Sequence, residues 1–256
     1  MTNEVTFIDM FWGTTVYGDK FIPFTKPHLL GVLFVFMGIA LLMQTRPMLN
    51  NPVFRRKTEW FLATILTLQQ TILYAWYITS GNFTLAESLP LYSCRLAIIG
   101  TVILLLTRHK KLFDIVYYWG IVGGLIALIT PDTSGFGPPH IMFMQYFFGH
   151  GTLIVSILYM MLAYNYYPTK ASLKWAYKIT SIYFVGIFFI NKLVGGNYSY
   201  LNGKPSTPTM LDALPPYPYY IAVLLGAMFA LFFLAYLPFS HKRGNQTKEA
   251  AARLKF

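Results

Sequence analysis

Long apolar stretches recur along this chain, separated by short polar connections. They run at about His28–Gln44, Trp60–Thr79, Leu89–Thr107, Leu112–Ile129, Ile141–Tyr164, Trp175–Val194 and Tyr219–Pro238. A helix of about 20 residues spans the ~30 Å hydrocarbon core of a bilayer. The pattern therefore predicts an all-α polytopic bundle of about seven transmembrane helices. It also predicts three segments: an extracellular N-terminal segment over 1–27, the membrane domain over 28–238 and a cytoplasmic tail over 239–256. The third and fourth spans are joined by the short basic turn Arg108–Lys111.

The charges in the connections alternate. The segment before the first span carries a net −1 and the following loops +3, −1, +3, −1, +3 and 0, with +4 on the tail. Lys and Arg concentrate in cytoplasmic loops. This places the N-terminus outside and the C-terminus inside, as an odd number of spans requires. Arg95, Asp114 and Lys192 are the charges left within spans.

Composition agrees with the pattern. The 256 residues are 55% hydrophobic and only 11% charged, against roughly a quarter charged in a soluble domain. The net charge of +11 would suit nucleic acid if it formed a patch. Here it is spread over alternate loops, so no nucleic-acid partner is expected and membrane lipids are. The single cysteine, Cys94, excludes an internal disulfide and a CxxC metal site. The outer-side ligands show no close metal spacing, so no metal and no cofactor are expected.

Three histidines (His28, His140 and His150) fall in the outer half together with Cys94. The helical rise puts Cys94 one to two turns below the outer surface and His150 ~14 Å deep. Polar groups at such depth usually face a cavity or a partner. His150 stands between Gly149 and Gly151, which let another helix or a ligand approach closely. Its bland reading is an interhelical hydrogen bond. The bland reading of Cys94 is a small buried hydrophobe, and that of Arg95 is snorkelling to headgroups. Taken together, however, a thiol and a histidine at compatible depth form a nucleophile and its base. Arg95 or Lys192 would lower the thiol pKa or hold a lipid phosphate. Asn191 would serve as an oxyanion donor, and Gln70 would line the same cavity. The loop 195–218, with Asp212 and five prolines including Pro205 and Pro208, is of a length that predicts a lid over the outer mouth.

Three segments carry a resemblance. "LPLYSC" resembles the Leu-Pro-Leu-x-x-Cys motif of the YwaF-like bacterial integral membrane family, which is similar to eukaryotic transmembrane protein 164. Tyr92 and Ser93 stand where that motif is expected to hold histidine or glutamine and then leucine. "FFGHG" resembles the family's histidine helix, and "NYSYLNGKP" with "TMLDALPPYPYYI" its late outer loop and last span. The resemblance implies a cysteine-dependent acyltransferase acting on phospholipid-type substrates, with Cys94 as nucleophile and His150 as its partner. Arg95, Asn191, Lys192, Gln70 and Asp212 are the expected substrate-binding residues. The alternative is a lipid or small-molecule binding or transport protein with an outward-facing cavity.

Overall fold

A computed structural model describes residues 5–17, 20–204 and 210–240. The tail from His241 and the prolines Pro205 and Pro208 lie outside these residues. The described chain is all-helical: α1 Phe7–Trp12, α2 Lys26–Gln44, α3 Pro52–Thr79, α4 Ser93–Thr107, α5 Lys110–Tyr117, α6 Gly123–Ile129, α7 Ile141–Tyr164, α8 Lys170–Val194 and α9 Tyr219–Tyr236. A π-helical turn, Tyr118–Val122, joins α5 to α6, so Lys110–Ile129 acts as one membrane-length helix.

Six helices among the described residues are long and apolar enough to cross a membrane. The third expected span is the exception. Its helix α4 has 15 residues, about 22 Å at 1.5 Å per residue, and it begins at Ser93 rather than Leu89. Pro90 lies in the turn before the helix, not in its first turn. The cause is tertiary. The Arg95 guanidinium binds the carbonyls of Glu87 (3.1 Å), Ser88 (3.2 Å) and Leu89 (3.0 Å). The Tyr198 hydroxyl donates to Leu85 O (2.8 Å) and accepts from Leu89 N (2.9 Å). Backbone groups held this way are unavailable to a helix.

Two of the other helices start more than a turn earlier than the apolar pattern suggests. α3 begins at Pro52, where Asn51 accepts from Val53 N and Phe54 N. Asparagine as cap followed by proline at the first helical position is a strong start signal. α8 begins at Lys170 behind a capping box of Thr169 and Ser172. In both, the added turns carry the basic residues that border the membrane.

Two tie points set α4 antiparallel to α3. Arg95 Nη2 donates to Tyr77 Oη at 2.9 Å. At the other end Arg108 grips Glu59 through Nε (3.0 Å) and Nη2 (2.8 Å). α3 rises about 27 Å between those two partners. Glu59 is fully buried and also takes bonds from Arg56 (3.1 Å) and the Tyr164 hydroxyl. It therefore gathers the start of α3 and the ends of α4 and α7 at one pole, called the basic end below.

α7 is the central helix and packs on α2, α3 and α4. Most of its residues are buried, whereas α9 is largely exposed. An all-round apolar helix in the middle with exposed apolar faces outside is the membrane pattern. Gly120 and Gly124 lie against Ile157 and Ile154 of α7, which is close helix packing. α1 covers the opposite end of α3. Trp76 Nε1 donates to Trp12 O (3.0 Å), and Trp12 Nε1 donates to Thr79 Oγ1 (2.9 Å).

Candidate functional site

Cys94 is the second residue of α4, so it sits nearer the end of the bundle than a helix from Leu89 would place it. Tyr92 occupies the cap position and makes no side-chain capping bond. The first N–H groups of α4 therefore have no intrahelical partner. Those of Cys94 and Arg95 lie close to the thiol. This end of a helix carries a partial positive charge and favours negative charge beside it. A thiolate, or the oxyanion of an acyl group attached there, is such a charge.

The histidines separate by their hydrogen bonds. His28 accepts from Phe24 N at Nδ1 (2.8 Å), and its Nε2 bonds Leu128 O at 2.7 Å. His140 accepts from Met142 N at Nδ1 (3.1 Å) and bonds Gly13 O through Nε2 (2.9 Å). Both rings are fully occupied in joining backbone segments. In His150 only Nδ1 is engaged, with Tyr146 O at 2.9 Å. A carbonyl can only accept, so Nδ1 carries the proton. Nε2 is left with its lone pair, as a base requires. The ring is buried.

Tyr146 is common to the two groups. Its ring packs on His150 with centroids 4.4 Å apart, as residues four apart on one helix do. Its hydroxyl is one of three, with those of Tyr183 and Tyr200, close enough to Cys94 to feel its charge. Tyr146 Oη donates to Ala127 O (3.1 Å), and Tyr183 Oη to Leu91 O (2.6 Å). Tyr183 Oη is also 2.6 Å from Ser199 Oγ. The thiol and His150 share no hydrogen bond. Tyr146, four residues before His150, and Tyr200, inside the "NYSYLNGKP" segment, were both open to recognition from the sequence. Neither stood out in a chain with 19 tyrosines.

The loop after α8 folds onto this region. Asn191, fully buried, donates to Tyr198 O (3.0 Å) and accepts from Tyr198 N (2.8 Å). Tyr92 packs against Tyr198 and Tyr200. Burial, reinforced by the neighbouring Tyr200 and Glu87, pushes the Tyr92 phenol well above its usual range. Ser199 and Tyr200 both have φ of +56°, a conformation that costs non-glycine residues energy and recurs at functional sites.

The remaining expected residues are placed as follows. The Arg95 guanidinium serves the 87–89 carbonyls and Tyr77, and lies over the Tyr92 ring. Lys192 is exposed, its ammonium over Phe188. Asp212 is exposed, and its carbonyl accepts from Lys204 Nζ at 3.3 Å. Gln70 donates to Gln69 Oε1 (2.9 Å), and Gln69 in turn bonds Gln145. Gln70 Oε1 is buried and has no partner, and one turn on the buried Tyr74 hydroxyl lies beside the Arg95 guanidinium. Gly149 and Gly151 serve packing. A Cβ would meet Gln69 at 2.8 Å in the first case and Val35 at 2.8 Å in the second. Among the described residues no three His, Cys, Asp or Glu side chains form a metal-binding group.

Six membrane-length apolar helices among the described residues define a multi-pass membrane protein. The model of the TMEM164 family matches residues 23–236, and the chain belongs to that family. It is also similar to an uncharacterized protein of Treponema pallidum (strain Nichols), 24% identical over 155 residues. That match covers 60% of this chain and 63% of the relative, under two thirds of its length. No solved structure matches.

Proposed function

We propose that this protein is a lipid acyltransferase or transacylase that works through a Cys94 thioester. The observation that carries the reading is the pairing of two features around Tyr146. One is a lone thiol at an uncapped helix start. The other is a buried histidine whose only bonded nitrogen is Nδ1. In the first step His150 Nε2 takes the thiol proton, and the Cys94 thiolate so formed attacks the ester carbonyl of a phospholipid. The S–C bond forms, the ester C–O bond breaks, and the lyso-lipid leaves with a proton from His150. In the second step His150 Nε2 takes the proton of an acceptor hydroxyl. The hydroxyl oxygen attacks the thioester, and the thiolate is released. The N–H groups at the start of α4 stabilise the oxyanion in both steps. The unpartnered Gln70 Oε1 supplies a site for a polar group of lipid or acceptor.

The reading includes an orientation. We place the basic end in the cytoplasm by the excess of Lys and Arg in its loops, and the Cys94 end at the outer leaflet. α4 is then a seventh, short crossing between α3 and α5, with residues 1–27 outside and the tail inside. The test is acyl exchange between phospholipids by the protein reconstituted in vesicles. Cys94→Ser and His150→Ala should each lose at least about a hundred-fold, the usual share of a nucleophile or general base. Unchanged exchange in both variants overturns the reading. Saturable lipid binding that persists in Cys94→Ala without any exchange favours a binding or transport protein instead.

A further inference from the structure

At the basic end a groove of about 440 Å³ opens between the end of α4 and the starts of α5 and α8. Ile103, Leu112, Ile115 and Trp175 form its apolar wall, and His109 and Lys111 stand beside them. Ile103 is 47% exposed and Trp175 38%, so the wall faces the surroundings of the bundle. Thr107, also on the wall, is the last residue of α4 and lies ~20 Å along the helix from Cys94. The groove is therefore separate from the thiol.

The charge around the groove is unbalanced. The three ion pairs among the described residues all lie at this end, and they occupy both of its carboxylates, Glu59 and Asp114. Lys110 is paired with Asp114. Lys111 is exposed and has no carboxylate partner. The same holds on α8 for Lys174, which adjoins Trp175. Mixed cationic and apolar surface at the edge of a membrane-spanning helix, with a tryptophan at the boundary, matches a phospholipid with a net negative headgroup.

We propose that this groove holds one acyl chain of an anionic phospholipid of the leaflet at the basic end, with the lipid phosphate on Lys111 and His109. The occupant is a bilayer lipid, because the apolar wall is continuous with the lipid-facing surface and a free phosphate would leave it uncovered. The site is independent of acyl transfer at Cys94, and its readout is binding rather than activity.

The full chain is reconstituted in phosphatidylcholine vesicles containing either phosphatidylglycerol or phosphatidylcholine with brominated chains. Bromine quenches tryptophan fluorescence on contact. The Trp175 signal is the difference between the native chain and Trp175→Phe. Brominated phosphatidylglycerol should quench that signal at about a five-fold lower mole fraction than brominated phosphatidylcholine, the ratio given by ~1 kcal/mol for one basic side chain near the surface. Lys111→Gln should bring the two lipids close to parity. Lys57→Gln, a cation of the same end outside the groove wall, should leave the preference intact. Native mass spectrometry of the detergent-solubilised chain and of Lys111→Gln, comparing retained phosphatidylglycerol, makes the same comparison without altering Trp175. Equal quenching by the two lipids overturns the proposal. So does an equal loss in Lys57→Gln, which would mean that diffuse surface charge alone attracts the lipid.

Discussion

Tyr146 is the residue on which the candidate site turns, because its ring holds His150 and its hydroxyl reaches towards Cys94 and α6. Tyr146→Phe keeps the ring packed on His150 and removes only the bonds to Ala127 O and Asp132 N. It should lower stability by about 1 kcal/mol, read as a fall in the thermal midpoint in detergent, and leave acyl exchange within a few-fold of native. Tyr146→Ala removes the support of the imidazole and should reduce exchange much more than it reduces stability. Equal loss in the two variants would make the hydroxyl, not the ring, the working part. Gly149→Ala sets a methyl 2.8 Å from the Gln69 side chain, which is already committed to Gln145. Overpacking of this kind costs about 1–3 kcal/mol, again visible in the thermal midpoint. His140, outside the membrane-spanning helices, offers a pH test. Burial holds its pKa below the ordinary 6.5, the bond to Gly13 opposing this in part. The unfolded chain therefore takes up the proton more readily than the folded one. Stability from this site is full above about pH 6.5 and declines as pH falls below it. His140→Gln should flatten that acid-side fall in the thermal midpoint.

Among the elements, α4 departs most from its sequence pattern, and its start is decided by contacts from elsewhere in the chain. Arg95 and Tyr198 hold residues 85–89 as a turn, and Asn191 holds Tyr198. Asn191→Ala leaves the N–H and carbonyl of Tyr198 unpaired in a buried place. The expected cost is about 1–3 kcal/mol. The localised reading is amide hydrogen exchange, which should rise in 85–92 and 196–203 together. A rise confined to 196–203 would show that the two segments are not one latch. The π-helical turn Tyr118–Val122 belongs to the same side of the bundle. It includes Trp119, whose Nε1 donates to Thr180 Oγ1 at 2.8 Å and whose ring packs at a tilt against Tyr183. Such turns rotate the side chains that follow and are frequent at functional sites.

At the scale of the whole molecule the charge asymmetry predicts topology. In a Cys94→Ser background, a cysteine at Asn82 should react with an impermeant maleimide from outside intact cells, and one at Lys110 only after permeabilisation. Ser206, also expected outside, lies beyond the described residues. Labelling at Lys110 from outside would reverse the orientation and move the proposed chemistry to the inner leaflet. The pole built on Glu59 explains why the basic end holds together despite its charge. One buried carboxylate serves two arginines and a tyrosine, and removing a partner from such a cluster is more costly than the cluster is worth.

Hydropathy and charge alone determined that the chain is helical, crosses the membrane several times and carries an asymmetric set of basic loops. These are one-dimensional properties, since hydrocarbon demands about 20 apolar residues wherever a helix crosses it. The family was legible too, in "LPLYSC", "FFGHG" and the late loop. The roles of individual polar residues were not. His28, His140 and His150 look alike in sequence, and only the folded chain shows that two of them have both nitrogens occupied and the third has one free. Arg95 reads as a cation beside a thiol, yet its guanidinium serves loop carbonyls six to eight residues back. Lys192 falls at the end of a span and faces outward. Each of these outcomes depends on which backbone groups lack a partner after the helices have packed. That account of donors and acceptors is closed only in three dimensions, so tertiary structure alone could separate a histidine with an unbonded nitrogen from those whose rings join backbone segments.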